Sequence, residues 1–266
     1  MPDDLKSLWN AADAYERYMG RWSRKIAPLF LEWLDAPPEK SWVDIGCGTG
    51  GLTSQIADHC TPSHLVGVDP SEGFIALATD SLRSAEFQVG NADDLIIADD
   101  SMDFAVSGLL LNFVPDPQLA IMEMVRTVRP GGTVALYVWD YAGQMQIMRY
   151  FFDTARQFDS SSSEYDDGVN APICRPKRLL EAFESTGLVD VETTALDTTT
   201  PFVSFSDYWT PFLGGTGSAP RYLASLDESM QNRIRDAVRA KLPTGPGGEI
   251  LLAARAWAVK GVVLPQ

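Results

Sequence analysis

The chain has 266 residues, 45% of them apolar, so it can bury one sizeable core, and no Pro/Gly-rich linker divides it into halves. Its net charge of −15 disfavours nucleic-acid substrates, because an acidic surface repels a phosphate backbone. It has no apolar run near the roughly 18 residues of a membrane span and no basic leader followed by an apolar segment, which predicts a cytoplasmic protein without a membrane partner.

Short β-rich runs alternate with helical patterns in the first half of the chain. We predict strands at 41–46, 64–69, 86–91, 102–110 and 133–140, and helices at 51–60, 71–82 and 117–129. Such alternation indicates parallel strands joined by crossover helices. Pro130, Gly131 and Gly132 are expected to end the last of these helices and to start the strand after it.

The pattern changes after Asp140. A helix rich in aromatic residues is predicted at 145–158, followed by a polar loop at 159–172 and a helix at 176–187. Two late strands are predicted near 188–202 and 250–262, with a long amphipathic helix near 221–242 between them.

The turn after the first predicted strand is rich in glycine. Gly46, Gly48 and Gly50 form GxGxG and Gly51 completes GxGxxG, a spacing that fits a dinucleotide fold as well as any other nucleoside-binding Rossmann sheet. Charge separates these ligands. The carboxylate of Asp44 would repel an anionic pyrophosphate, whereas the sulfonium and ammonium groups of S-adenosylmethionine are cations that favour a nearby carboxylate.

The next two strands also end in polar residues. Asp69 closes the second strand, where a carboxylate can accept hydrogen bonds from both ribose hydroxyls of either ligand. Asn91 follows the third strand and can accept from an adenine amino group, while the backbone N–H of Ala92 can meet a ring nitrogen. The alternative for Asn91 is a simple turn former.

Four motifs follow one another over residues 41–138: VDIGCGTG, VGVDPSE, VGNADDLIIADDSMDFAVS and VRPGGTVAL. In this order they resemble class I S-adenosylmethionine-dependent methyltransferases, and most of all the bacterial small-molecule group similar to ubiquinone/menaquinone C-methyltransferases. The resemblance implies an α/β fold with a Rossmann-like, seven-stranded, mostly parallel sheet, helices on both faces and an antiparallel last strand. It also implies methyl transfer from S-adenosylmethionine to an O, N or C atom of a small molecule, with S-adenosylhomocysteine as the product.

The resemblance further implies which residues bind the cofactor. The implied residues are Asp44, Gly46, Cys47, Gly48, Thr49 and Gly50 for the methionyl part, Asp69 and Pro70 for the ribose, and Asn91, Ala92 and Asp93 for the adenine. The family usually has Asp at the position of Asn91. The contact with the adenine amino group therefore loses a negative charge here but keeps a hydrogen-bond acceptor.

The N-terminal stretch 14–34 resembles the family's leading helix pair, which covers the cofactor. Tyr15 and Tyr18 would then flank the methionyl tail, and Arg21 or Arg24 would pair with its carboxylate. The alternative is a surface helix whose aromatic residues anchor it to the core.

The acceptor pocket is expected to follow the fourth and fifth strands. Leu109 and Asn112 should lie near the methyl group, with Tyr141 facing the acceptor and Asp140 as the candidate general base or, alternatively, a helix N-cap. Three further aromatic residues suit a hinged lid or, alternatively, an immobile hydrophobic cap: Tyr208, Trp209 and Phe212.

We therefore expect one methyltransferase domain over residues 1–266. It comprises an N-terminal helical cap (1–36), a cofactor-binding core (41–140), a helical addition (141–186) and a helical lid inserted between the last two strands (203–245). Proximity and desolvation should supply most of the catalysis, without a metal ion, since the three cysteines show no CxxC spacing. The alternatives are a non-catalytic S-adenosylmethionine-binding protein and a nicotinamide-dependent oxidoreductase.

Overall fold

The computed structural model describes residues 21–214 and 217–264, with the backbone alone at Arg21. These residues form two compact units. We call residues 23–138, 173–196 and 256–264 the sheet unit, and residues 139–172 and 197–255 together with Trp22 the helical unit. The division into two compact units does not decide whether the chain is one domain, so the expected single domain stays a prediction.

Seven strands form one sheet. They are β1 (Ser41–Ile45), β2 (His64–Asp69), β3 (Glu86–Val89), β4 (Met102–Gly108), β5 (Val128–Trp139), β6 (Val189–Phe202) and β7 (Ile250–Val262). Their order is β3-β2-β1-β4-β5-β7-β6. The first five strands are parallel to one another. β7 is antiparallel to β5. Gly131 N donates to Val263 O at 2.9 Å, and Asp140 N donates to Arg255 O at 2.8 Å. The predicted mostly parallel sheet with an antiparallel last strand is confirmed.

Ten α-helices accompany the strands in the described ranges. They are α1 (Arg21–Leu34), α2 (Gly51–His59), α3 (Glu72–Ser81), α4 (Pro117–Thr127), α5 (Gln146–Ala155), α6 (Asp167–Asn170), α7 (Pro176–Glu184), α8 (Phe205–Trp209), α9 (Ser218–Ala224) and α10 (Glu228–Lys241). None of these helices is long and apolar enough to cross a bilayer. The predicted alternation of strands and helices is confirmed, and α8 to α10 lie between β6 and β7 along the chain.

The start of β5 differs from the prediction. Pro130, Gly131 and Gly132 lie inside the strand, which begins at Val128 instead of 133. Its register with β4 slips there, because Met102 is opposite Val128 while Phe104 is opposite Thr133. Val263 explains the extension, since its backbone pairs with both glycines beyond the end of β7.

The long helix predicted near 221–242 is wrong, since the chain forms α9 and α10 there. Asp227 separates them, because its side chain accepts a hydrogen bond from Met230 N at 2.8 Å and so begins a new helix. The segment 159–172 is also not a plain loop. Asp159 and Asp166 each accept a backbone hydrogen bond and begin a short helical turn.

The strand order places the polar strand ends together. β1 is the strand from which the chain winds outwards in both directions, with β2 on one side and β4 on the other. In open parallel sheets, ligands bind beyond the carboxyl ends of the strands at this point of reversal. β1 is buried along its whole length, so only its carboxyl end can present residues to a ligand.

Candidate functional site

The glycine turn after β1 has a backbone that favours glycine at three positions. Gly46, Gly48 and Gly50 have φ of 72°, 55° and 89°, in the left-handed region that costs other residues free energy. Gly46 N and Cys47 N both donate to Val68 O, at 2.8 and 3.1 Å. The turn is thereby bonded to β2, and the first N–H groups of α2, which have no acceptor within the helix itself, lie directly after it.

Asp44 lies in β1, two residues before the turn, and is fully buried. Thr53 Oγ1 donates to its Oδ2 at 2.6 Å, whereas Oδ1 has no hydrogen-bond partner in the described structure. Burial raises the pKa of Asp44 to about 7, against the opposing hydrogen bonds from Thr53. A buried carboxylate oxygen without a partner is costly, so this oxygen is suited to a donor supplied by a ligand.

Asp69 ends β2 beside the same turn. Gly48 N donates to its Oδ2 at 3.0 Å, and Ser71 N donates to its Oδ1 at 2.9 Å. Each oxygen keeps a lone pair, since a carboxylate offers about four acceptor sites. The side chain is therefore held in one orientation and can still accept hydroxyl groups. Pro70, the next residue, is exposed.

The segment after β3 lies next to Asp69, because Gly90 N donates to Asp69 O at 3.1 Å. Asn91 and Asp93 are exposed there and Ala92 is half-buried. The structure thus brings together the glycine turn, Asp69 and residues 91–93, as the sequence predicted for a cofactor site.

The chain reverses sharply at the end of β4. Leu109 has a left-handed φ of 61°, rare for leucine, and its N donates to Tyr137 O at 2.8 Å. The following side chain, Leu110, lies over the glycine turn, where a Cβ on Gly46 would come within 2.6 Å of its Cδ2. We assigned Leu109 to the site and missed Leu110, because the left-handed turn decides which leucine faces Gly46. Asn112 is half-buried nearby in the chain.

The chain is similar to known proteins. Residues 43–136 match the family described as "Methyltransferase domain". A trans-aconitate 2-methyltransferase of Deinococcus radiodurans is 29% identical over 224 residues, which cover 80% of this chain and 83% of that protein. A demethylmenaquinone methyltransferase of Desulfitobacterium hafniense is 32% identical over 120 residues, covering 42% of this chain and 46% of the relative. A solved putative methyltransferase of Bacillus halodurans shares the fold, with a TM-score of 0.60 at 14% identity, covering 90% of this chain and 99% of that one.

The chain carries a class I S-adenosylmethionine-dependent methyltransferase domain. The expected family, enzyme class and cofactor, and the transfer of a methyl group to a small-molecule acceptor, are confirmed by these relatives. The unpartnered oxygen of Asp44 fits this cofactor, which brings cations, better than a diphosphate, which brings anions. The space beside Gly48 also leaves room for a ligand, since a Cβ built on this glycine would meet no atom of the described residues within 4 Å. Thr49, the next residue, is exposed.

The thiol of Cys47 is a packing group of the methyltransferase. Its Sγ lies 3.0 Å from where a Cβ on Gly67 of β2 would be, and Phe87 fills the rest of that space. Burial raises the pKa of Cys47, and the charges of Asp44 and Asp69 raise it further. We missed Gly67 and Phe87, although a glycine inside a buried strand is a signal of close approach.

Asp140 of the methyltransferase closes the turn between β5 and α5. Gln144 N donates to its Oδ2 at 2.8 Å, and Gly143 packs so closely that a Cβ there would lie 2.5 Å from the same oxygen. The side chain thus holds the turn before α5, but it is not the helix N-cap that was the alternative to a general base, because Met145 occupies that position. Tyr141 is buried next to it.

The aromatic residues expected to form a lid are buried within the helical unit. Tyr208 donates from its hydroxyl to Ile147 O at 2.9 Å, and Phe212 stacks on Phe151 with ring centroids 4.8 Å apart. Trp209 packs against Phe212 at 5.6 Å. Their packing matches the hydrophobic-cap alternative, while motion and acceptor contact stay predictions.

Three residues assigned to the cofactor site cannot be placed. Tyr15 and Tyr18 lie outside the described residues, and so does the side chain of Arg21. Arg24 lies on α1. Within the described ranges, no three His, Cys, Asp or Glu side chains group as metal ligands. The expected independence from metal therefore stays a prediction.

Proposed function

We propose that this methyltransferase methylates a small carboxylic acid, converting one carboxylate into its methyl ester. The observation that carries the proposal is the extent of the alignment with the Deinococcus trans-aconitate 2-methyltransferase, 83% of whose length is covered. The demethylmenaquinone relative is matched over 46% of its length. Because cofactor-binding motifs are common to enzymes with many acceptors, the longer alignment carries more information on the acceptor.

The chemistry of the acceptor agrees with the residues present. A carboxylate is ionised at neutral pH, so its oxygen can attack the methyl group without a general base. The O–CH₃ bond forms as the S–CH₃ bond breaks, and the sulfonium becomes the neutral thioether of S-adenosylhomocysteine. Opposite charges are lost in this step, so a site that excludes water favours it. His59 ends α2 and His64 begins β2, so both histidines lie away from the carboxyl ends of the strands proposed as the site.

We propose the following roles in cofactor binding. The unpartnered oxygen of Asp44 accepts from the ammonium group or from a water that it binds, Asp69 accepts from the ribose hydroxyls, and residues 91–93 contact the adenine. The buried Asp44 carboxylate, the left-handed glycines and the fixed orientation of Asp69 support this assignment. Tyr15, Tyr18 and Arg21 are proposed to cover the methionyl tail.

The test is methyl transfer from S-adenosylmethionine carrying a labelled methyl group. The purified full chain is incubated with trans-aconitate, other small di- and tricarboxylic acids and, separately, demethylmenaquinone. We expect label in a product that releases methanol in base, as a methyl ester does. The Asp69→Ala variant should lose this transfer, and the Asp58→Asn variant, changed at an exposed position of α2, should keep it.

Other results would contradict the proposal. Label in demethylmenaquinone and in no carboxylate would show that the acceptor class is wrong. Binding of S-adenosylhomocysteine without transfer to any acceptor would favour a non-catalytic cofactor-binding protein. A thermal shift with NADH and none with S-adenosylhomocysteine would favour an oxidoreductase.

We further propose that the protein acts in the cytoplasm and does not act on nucleic acid. The net charge of −15 supports the second statement. Methylation of a tRNA or DNA substrate in the same labelling assay would contradict it.

A further inference from the structure

The side chain of Phe87 extends from the edge strand β3 over the neighbouring strand β2, towards the glycine turn. Phe87 of the edge strand β3 is paired in register with Gly67 of β2. Its ring occupies the space over that glycine, because a Cβ on Gly67 would lie 2.6 Å from Cδ1 and 2.7 Å from Cε1. The Sγ of Cys47 reaches the same space, at 3.0 Å. A side chain at position 67 would therefore displace the ring or the thiol.

The tip of the ring reaches the other end of the turn. A Cβ on Gly50 would lie 3.6 Å from the Cζ of Phe87 and 3.6 Å from Cβ of Ala78 on α3. Gly50 is the residue before α2, and its φ is 89°. Phe87 thus extends from the sheet edge, over Gly67, to the residue at which the turn becomes a helix.

Hydrogen bonds fix only part of the turn to β2. Gly46 N and Cys47 N donate to the backbone Val68 O, and Gly48 N donates to the side-chain Oδ2 of Asp69. Gly50 N bonds within the turn, to Cys47 O. Glycine has more backbone freedom than other residues, so a turn with three of them depends on packing for a single geometry. Phe87 supplies that packing at Gly50.

We propose that Phe87 is a positioning residue for cofactor binding, admitted by Gly67, which holds Cys47 and Gly50 in the geometry that receives S-adenosylmethionine. The inference rests on the proposed role of the glycine turn in cofactor binding. Phe87 acts through the turn and needs no contact with the cofactor itself.

The first test compares Phe87→Ala with a matched control, Phe104→Ala. Phe104 is a buried phenylalanine of β4 that stacks on Trp42 at 4.2 Å, in the same unit and sheet but at the amino end of its strand. Both variants should lower the melting temperature. Only Phe87→Ala should also weaken S-adenosylhomocysteine binding in calorimetry, by about tenfold, because apparent affinity falls with the fraction of molecules that hold the turn in its binding geometry.

The second test is a double-mutant cycle with Gly67→Ala. Alone, Gly67→Ala should weaken binding, since the new methyl group meets the Phe87 ring. Combined with Phe87→Ala, the clash with the ring is gone and only the 3.0 Å approach to Cys47 Sγ remains, so the loss of affinity in the double variant should be smaller than the sum of the two single losses. Phe87→Leu keeps much of the apolar volume, so it should bind S-adenosylhomocysteine more tightly than Phe87→Ala does. It replaces Phe87→Ala in the test if that variant does not fold.

Unchanged affinity in both Phe87→Ala and Phe87→Leu would overturn the proposal. Equal losses of affinity in the Phe87→Ala and Phe104→Ala variants, after correction for stability, would do the same. Additive effects of Gly67→Ala and Phe87→Ala would also overturn it. If the unaltered protein does not bind S-adenosylhomocysteine, the cofactor role of the turn fails instead, and the two failures are thereby distinguished.

Discussion

Asp44 combines burial with an oxygen that has no hydrogen-bond partner among the described residues, and we expect this to make cofactor binding depend on pH. Its pKa of about 7 in the free protein means that it gains a proton as the pH falls through neutrality. A cationic ligand favours the ionised form. We expect the affinity for S-adenosylhomocysteine, whose ammonium is cationic, to fall below pH 7 by up to about tenfold per pH unit. Calorimetric titrations between about pH 5.5 and 8.5 measure this.

The Asp44→Asn variant is the control for this pH dependence. It keeps an acceptor for Thr53 but cannot ionise. Its affinity should be lower at pH 8 and should change little with pH. A slope in the variant equal to that of the unaltered protein would assign the titration to another group.

Asp69 has two tasks, one structural and one proposed for binding. Asp69→Ala should weaken S-adenosylhomocysteine binding by about 1.5 to 3 kcal/mol, as expected for hydrogen bonds to a charged group. Asp103→Ala is a matched control, because Asp103 also accepts from a backbone N–H and a hydroxyl, both of Ser41, at 2.8 and 2.9 Å. It should lower stability and leave affinity unchanged. Equal affinity in the two variants would refute the ribose assignment.

Asp140 should matter for the turn more than for proton transfer. Asp140→Asn keeps an acceptor for Gln144 N and removes the basic carboxylate. With a carboxylate as the acceptor, we expect kcat to fall by less than about tenfold, below the roughly 100-fold or more that loss of a general base costs. A larger loss with an unchanged melting temperature would restore Asp140 as the base.

At the scale of the elements, periodicity predicted the strands and helices of the first half of the chain well. It failed where pairing with distant segments decided the outcome. Gly131 and Gly132 indicate a turn by composition, yet Val263, more than 100 residues later, extends β5 through them. In the same way, one apolar period continued through 221–242 and concealed the boundary at Asp227.

Asp227 should contribute measurably to α10. Asp227→Ala removes the acceptor for Met230 N and should lower the free energy of unfolding by about 1 kcal/mol, typical of an N-cap. Asp236→Ala removes the same charge from the exposed middle of the helix and should cost less. Urea denaturation monitored by circular dichroism compares them. Equal effects would show that charge, and not capping, is responsible.

The location of a candidate site residue was predictable where the residue lies at or near the carboxyl end of a strand. Asp44, Asp69 and Asn91 could be placed because parallel strands end at one edge of the sheet. Phe87 and Leu110 could not, since their positions depend on the register of β3 with β2 and on the left-handed backbone at Leu109. Neither register nor backbone handedness is visible in the order of residues alone.

For the whole molecule, the excess of acidic residues should oppose folding. The chain has 36 acidic and 21 basic residues, so like charges repel one another in the compact state. We expect the melting temperature to rise between about 10 mM and 0.5 M NaCl, as the Debye length shortens from about 30 Å to a few ångströms. The exposed Asp58→Lys variant, with less negative charge, should show a weaker rise. A salt-independent melting temperature would contradict this.

The burial of Cys47 has a practical consequence. Only a thiolate attacks a maleimide at an appreciable rate, and this sulfur is both covered and kept protonated while the glycine turn is closed. Its alkylation, followed by mass spectrometry of the peptide that carries it, therefore reports how often the turn opens in solution. A bound cofactor should slow that labelling without changing the labelling of Cys174, which is remote along the chain and also buried.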